Sequence, residues 1–234
     1  MATKPTRVMW DGRASVEGIL EHKSVYHWVK GAMDFLLASM LLVLLSPLAL
    51  LIALLIKLDS RGSIFFGQER MGYDWREGKR KPFVMYKFRS MYQDCDQNVH
   101  KEYVSRWIHG DLETEQGIAK LVNDDRVTRV GRILRKTSLD ELPQLWNVVT
   151  GAMSLVGPRP VPLYEVAEYE PWHRQRLDAT PGVTGLWQLK GRGLVTVDEM
   201  ARLDIEYIAC QSIWFDVKIM FLTVPAMLSG RGAA

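Results

Sequence analysis

Residues 35–56 read Phe35-Leu-Leu-Ala-Ser-Met-Leu-Leu-Val-Leu-Leu-Ser-Pro-Leu-Ala-Leu-Leu-Ile-Ala-Leu-Leu-Ile56, bounded by Asp34 and Lys57. No charge interrupts the run. At ~1.5 Å per residue, a helix of this length crosses a bilayer core of about 30 Å. It begins late for a signal peptide, and Lys57-Leu-Asp-Ser-Arg61 follows without a small-residue cleavage site. The segment is therefore expected to stay in the mature protein. Hydropathy alone reads it as a transmembrane helix. Two features oppose that reading. Ser46-Pro47 sits mid-run, where proline removes a helical hydrogen bond and bends the axis. Lys23 and Lys30 precede the run while Lys57 and Arg61 follow it, so basic residues flank both ends. From the residues alone, a full span and a helix that dips into one leaflet and returns both fit. In the second case the Ser46 hydroxyl can help satisfy backbone that Pro47 frees. Tyr26 and Trp28 suit the headgroup zone, whereas Trp10 is read as ordinary packing.

The chain has 234 residues, 47% of them hydrophobic and 24% charged, as in one folded domain. A formal net charge of +3 gives no bulk electrostatic case for nucleic acid as a partner. Cys95 and Cys210 are far apart and read as free thiols in a reducing compartment. Ser63–Glu69 and Phe83–Phe88 are rich in aromatic and β-branched residues and predict the strands of a hairpin. Residues 94–125 are polar and charge-rich, a helix-and-loop excursion at the surface. Arg126, Arg129, Arg132 and Arg135 recur every three residues, a basic stripe if helical. Residues 213–228 are apolar but carry Asp216 and Lys218. They predict a helix that is either interfacial, with Trp214 and Phe215 at lipid, or buried in the core.

The chemistry concentrates in Thr137-Ser-Leu-Asp-Glu-Leu-Pro-Gln-Leu-Trp-Asn147, followed by Met153-Ser-Leu-Val-Gly-Pro-Arg-Pro160. Asp140 and Glu141 stand at a helix start, in a field that favours anions. Ser138-x-x-Glu141 also matches a capping box, and Pro143 suits a first helical turn. Spacing alone favours capping over catalysis. Lys87 and Arg89 flank Phe88, and strand alternation would put both on one face, fit for a diphosphate. Pro158 and Pro160 stiffen the turn that presents Arg159.

Together these segments resemble the bacterial sugar transferase family, the monotopic phosphoglycosyl transferases. The resemblance rests on six motifs beyond the apolar run with Ser46-Pro47, in family order from about residue 30 to 225. They are Gly67–Gly72, Tyr86–Met91, Arg135–Asn147, Gly151–Pro160, Pro181–Gln188 and Asp216–Thr223.

The resemblance implies an α+β, mostly helical single domain with a small β-hairpin and an N-terminal re-entrant segment. Residues 1–34 would be an interfacial segment, and 35–56 a membrane helix broken at Ser46 and Pro47. Residues 57–234 would form a cytoplasmic catalytic domain with interfacial helices, at the bacterial inner membrane. It implies transfer of a phosphosugar from a UDP-sugar to polyprenyl phosphate, with Asp140 as nucleophile and UMP released. Lys87, Arg89, Arg135, Pro158 and Arg159 would bind the donor. Asp140 and Glu141 would hold Mg²⁺, which binds carboxylate and phosphate oxygens together. Glu141 could instead handle a proton; the sequence does not separate the two roles. The partners would be the UDP-sugar, polyprenyl phosphate and the lipid bilayer; a homo-oligomer is compatible with all of this. Two other readings compete, an inactive membrane adaptor of the same fold and an aspartyl-phosphate phosphohydrolase. The adaptor would require none of Asp140, Glu141, Arg135 and Arg159. The phosphohydrolase is opposed by the apolar run and by a missing Asp-x-Asp motif.

Overall fold

The computed structural model of the protein describes residues 24–93, 98–108, 124–190 and 196–228. Trp10, Lys23, Cys95 and the expected interfacial segment up to residue 23 lie outside them.

The apolar run belongs to one helix, α1 (Ser24–Asp59), with Pro47 inside it. The helix starts well before the predicted position at residue 35, and helical structure continues through Ser46-Pro47 instead of breaking there. The reason is local. Pro47 lacks the N–H that would bond the Val43 carbonyl four residues back. The Ser46 hydroxyl donates to that same carbonyl at 2.8 Å. Among the described residues, α1 is the one helix whose length and composition would let it cross a membrane.

Its packing has a strict side. Lys30, Asp34, Ala38, Leu41, Leu45, Leu48, Ile52 and Ile56 recur at helical spacing and face the rest of the protein. The opposite stripe carries Val25, Leu36, Met40, Val43, Leu50, Leu54 and Leu58, all exposed. Pro47 is exposed as well. One face of α1 is thus a core surface and the other an uncovered apolar surface.

The hairpin β1 (Phe65–Asp74) and β2 (Lys79–Phe88) follows, antiparallel, with Phe66 opposite Lys87 and Arg70 opposite Phe83. Both strands outrun their predicted bounds. The extra residues, from Arg70 to Asp74 and from Lys79 to Pro82, are mostly polar and carry little strand signal, but the tight turn at residues 75–78 lets them pair. Within 94–125 the structure describes α2 (Asn98–Ile108), which confirms a helix in that excursion. Then come α3 (Arg129–Thr137), a 3₁₀ turn (Leu139–Glu141) and α4 (Gln144–Val149). The basic stripe is shorter than expected: Arg126 precedes α3 and pairs with Asp124 at 2.6 Å.

The chain continues through β3 (Ser154–Val156), α5 (Leu163–Glu168), a 3₁₀ turn (His173–Leu177), β4 (Gly182–Thr184) and α6 (Leu186–Lys190). It closes with α7 (Val197–Cys210) and α8 (Ile213–Leu228). Cys210 is an exposed free thiol. β3 and β4 pair in parallel, Ser154 with Gly182 and Val156 with Thr184. α8 has a core side and an exposed side: Asp216 and Ile219 are buried, Phe215 packs against the core, and Trp214 and Phe221 are 79% and 75% exposed.

The main core joins α1 to α4, β3, α7 and α8 through Ala38, Leu145, Val148, Val156, Tyr207 and Ile219. A second cluster sets Ile52 and Ile56 of α1 against Phe88 and Leu134, flanked by Leu139 and Leu142. Polar anchors fix the first half of α1. Lys30 reaches Asp216 at 2.8 Å and Asp34 at 3.6 Å. Tyr26 and Tyr207 donate to Asp216 at 2.8 and 2.7 Å. Asp34 accepts from the Ser154 hydroxyl at 2.6 Å and from the Leu155 N–H at 3.2 Å. One cation thus serves two buried carboxylates, and O–H and N–H donors supply the rest. Removing one charge from such a cluster costs about 3–5 kcal/mol, because the others stay buried and unpaired.

Candidate active site

The Asp140-Glu141 pair sits where three elements meet. α3 ends at Ser138, whose φ of 57° is left-handed, alone among the described non-glycine residues. Its N–H closes α3 on Arg135 and Leu134 carbonyls. The chain is thereby re-aimed into the 3₁₀ turn that holds the two carboxylates. The expected capping box does not form. Ser138 makes no side-chain cap, and the Glu141 carboxylate is drawn away by two cations. Pro143 does stand at the entrance of α4, as predicted.

The hairpin delivers the first cation. Lys87 lies 2.8 Å from Glu141 Oε1 and 3.6 Å from Asp140 Oδ2, so it bridges both carboxylates. Asn147 sets the register of this approach. Its amide accepts from the Tyr86 N–H at 3.0 Å and donates to the Val84 carbonyl at 2.8 Å. One side chain of α4 thus satisfies the edge of β2, as a third strand would.

The second cation comes from the Gly157-Pro158-Arg159-Pro160 turn. Arg159 Nη2 is 3.3 Å from Glu141 Oε1. The turn is held from below: the Gly157 N–H donates to Thr184 O at 2.9 Å and the Gly182 N–H to Pro158 O at 2.8 Å. A Cβ on Gly182 would collide with the Gly157 backbone nitrogen, so glycine is required there. The Pro181–Gly185 loop is therefore a scaffold under the turn. Pro158 is buried in it.

Arg89 does not join this cluster. β2 ends at Phe88, so strand alternation lapses before Arg89. Its guanidinium donates to Ser60 O at 2.8 Å, to Ser60 Oγ at 3.0 Å, and to Arg61 O. It fastens the end of α1 to the hairpin. Arg135 acts on Asp140 through its charge.

The environment splits the two carboxylates. Burial raises the Asp140 carboxyl above its ordinary value, Lys87 opposes that rise, Glu141 adds to it, and Arg135 and Arg159 oppose it. Burial would raise Glu141 too, but Lys87 and Arg159 overcome it and hold that group down at about 2. Glu141 is thus a fixed anion, a poor proton carrier near neutrality. Asp140 is the member of the pair whose protonation can change.

The donor set can also be tested for magnesium. Mg²⁺ is held by one or two carboxylates together with substrate phosphates, not by an all-protein cage. No group of three or more acidic, histidine or cysteine side chains is gathered among the described residues. Two adjacent carboxylates ringed by cations that suit phosphate fit the substrate-assisted kind of site.

Sequence reasoning passed over Asn147 and Arg70. Both lie inside quoted motifs, but neither position announces a role without the fold.

A family model described as bacterial sugar transferase matches residues 25–230. The exopolysaccharide production protein ExoY of Rhizobium meliloti (strain 1021) is 42% identical over 205 residues, 87% of this chain and 87% of that protein. The undecaprenyl-phosphate glucose phosphotransferase of Komagataeibacter xylinus is 42% identical over 233 residues, 92% of this chain but 39% of its own length. The UDP-glucose:undecaprenyl-phosphate glucose-1-phosphate transferase of Escherichia coli (strain K12) is 41% identical over 207 residues, 84% of this chain and 39% of the other. The chain thus spans most of ExoY and about two fifths of the longer relatives.

The split between the carboxylates predicts a pH profile. With Asp140 required as an anion, kcat/KM falls as pH drops through a value above the ~3.9 of an ordinary aspartate. Lys87 holds that value down, so Lys87→Met moves the acid limb to higher pH. An acid limb at the same or lower pH in Lys87→Met would contradict the assignment.

Proposed function

The chain belongs to the bacterial sugar transferase family, and on that premise we propose that it transfers a sugar 1-phosphate from a UDP-sugar to a polyprenyl phosphate such as undecaprenyl phosphate. Phosphoglycosyl transfer is the activity that the names of its relatives carry. The observation that carries the proposal is the convergence of Asp140 and Glu141 with Lys87 and Arg159, on a turn whose Leu139 and Leu142 pack against α1.

In this reading Asp140 attacks the sugar-linked phosphorus. A bond forms between its carboxylate oxygen and phosphorus. The phosphoanhydride bond breaks, and its electron pair leaves on UMP. The phosphate oxygen of the polyprenyl lipid then displaces Asp140, giving polyprenyl diphosphosugar and the free carboxylate. Lys87 and Arg159 offset charge on the phosphates, and Arg135 adds to the field. Glu141 keeps the two cations in place. Asp140 and Glu141 would hold Mg²⁺, which when bound neutralises phosphate charge. Neither half-reaction needs a strong base, because both nucleophiles are already anions.

Packing supports one topology. The body touches α1 from Lys30 to Ile56, as it would with both ends of that helix on one side of a bilayer. In this reading that side is the cytoplasmic face of the inner membrane, with the exposed apolar stripe of α1 in lipid. Trp214 and Phe221 extend that surface. Ser46-Pro47 lies on the stripe, about midway along it.

Asp140→Asn keeps the shape of the side chain and removes the anion. It should lower UMP release by at least about 10³-fold while the protein stays folded and membrane-bound. Near-normal turnover, with deamidation excluded, would remove Asp140 from its role. The topology has its own check, with Cys95 and Cys210 replaced. Ser24→Cys and Ser63→Cys should both react with an impermeant maleimide from the cytoplasmic side only. Labelling from opposite sides would establish a full span.

A further inference from the structure

Arg70 lies four residues along β1 from Phe66, on the hairpin face that carries Lys87. Its Nη1 donates to the Pro160 carbonyl at 3.1 Å and its Nη2 to Gln68 Oε1 at 2.6 Å. The neighbouring backbone is joined to the same turn, Met71 N–H to Val161 O at 2.9 Å. Its Nε is buried without a hydrogen-bond partner. Burial and then the nearby charge of Arg159 lower its pKa to about 10, while Glu165, Tyr164 and Glu141 oppose that shift. A buried guanidinium beside a second one is costly unless the arrangement serves something.

Glu165, in the first turn of α5, supplies the reason. Burial raises its carboxyl, and Arg70, Arg176 and Arg159, in that order, oppose the rise together with the Tyr169 hydroxyl at 3.5 Å. Arg176 is committed elsewhere, fully buried with Asp204 at 2.6 Å. Lys101 from α2 stands over the Tyr164 ring, 5.9 Å from its centre. Arg159 therefore has two carboxylates in reach of its charge, Glu141 at 3.3 Å and Glu165. Arg70 bridges Pro162, which caps the helix that carries Glu165, and grips the carbonyl next to Arg159.

We propose that Arg70 is the positioning residue of this site: it holds the Pro160 carbonyl and balances Glu165, so that Arg159 turns to Glu141 and the donor phosphate. This rests on the reading of Arg159 as a phosphate-binding residue. Without Arg70, Glu165 competes for Arg159, and the phosphate site loses a cation that is still present in the chain. A residue needed only for folding would lower the melting temperature and leave kcat/KM of the folded protein unchanged.

The experiment is a suppressor cycle on purified protein, reading kcat/KM for the UDP-sugar with thermal melting alongside. Arg70→Gln should lower kcat/KM roughly tenfold, and Arg70→Lys should lower it less. Glu165→Gln alone should leave activity within about twofold, and in the Arg70→Gln background should restore it to within about threefold of wild type. An Arg70→Gln protein that Glu165→Gln fails to restore, whether or not it folds, overturns the inference. So does full activity in Arg70→Gln. Arg159→Ala separates this failure from that of the functional reading. If Arg159→Ala is itself fully active, the phosphate-binding role is lost. If it is impaired while Arg70→Gln is not, only the positioning role is lost.

Discussion

The contact between Lys30 and Asp216, 2.8 Å and buried, is the point on which the architecture turns. It joins the first described helix to the last, across nearly the whole chain. Around it, Tyr26, Tyr207, Asp34 and Ser154 complete a polar cluster where an apolar core would otherwise be continuous. Such a cluster has one geometry that satisfies every member, so it fixes how α1 is rotated as well as where it lies. Rotation decides which face of α1 meets the body and which stays exposed. Further along the same helix, Ile52 and Ile56 pack beside Leu139 and Leu142, the neighbours of Asp140 and Glu141. The helix with the exposed apolar face and the turn that holds the two carboxylates are therefore parts of one packed unit.

The charge arrangement at the site follows a simple division. Glu141 takes Lys87 and Arg159 and is held as an anion at about 2. It keeps those cations close without a bound phosphate. Asp140 lies farther from Lys87, at 3.6 Å, and burial raises it. Two adjacent carboxylates thus receive different tasks from their surroundings alone. The scaffold for this is backbone more than side chain: the parallel β3–β4 pair and its glycines hold the Arg159 turn, and the Asn147 amide holds the Lys87 strand.

Much of this was legible in the sequence. The apolar run, the hairpin, the last helix and the Asp-Glu and Gly-Pro-Arg-Pro segments each lie where residue patterns put them. The misreadings have physical causes. Ser46 compensates for Pro47 through one hydroxyl, so a residue that usually breaks a helix leaves this one continuous. Ser138-x-x-Glu141 spells a capping box, yet cations from distant segments outbid the local backbone for Glu141. Lys87 and Arg89 obey alternation only while the strand lasts, and it stops between them. Arg70 and Asn147 act through long-range partners, which no local pattern encodes.

In the proposed reaction Asp140 carries the phosphosugar between two substrates. The sharpest test of that step mixes enzyme with UDP-sugar in the absence of lipid acceptor, followed by rapid quench and intact-mass measurement. About one UMP per active site is expected in a burst, with a protein adduct of one phosphosugar on Asp140 that disappears when polyprenyl phosphate is added. UMP appearing only when both substrates are present, with no adduct at any time, would contradict it.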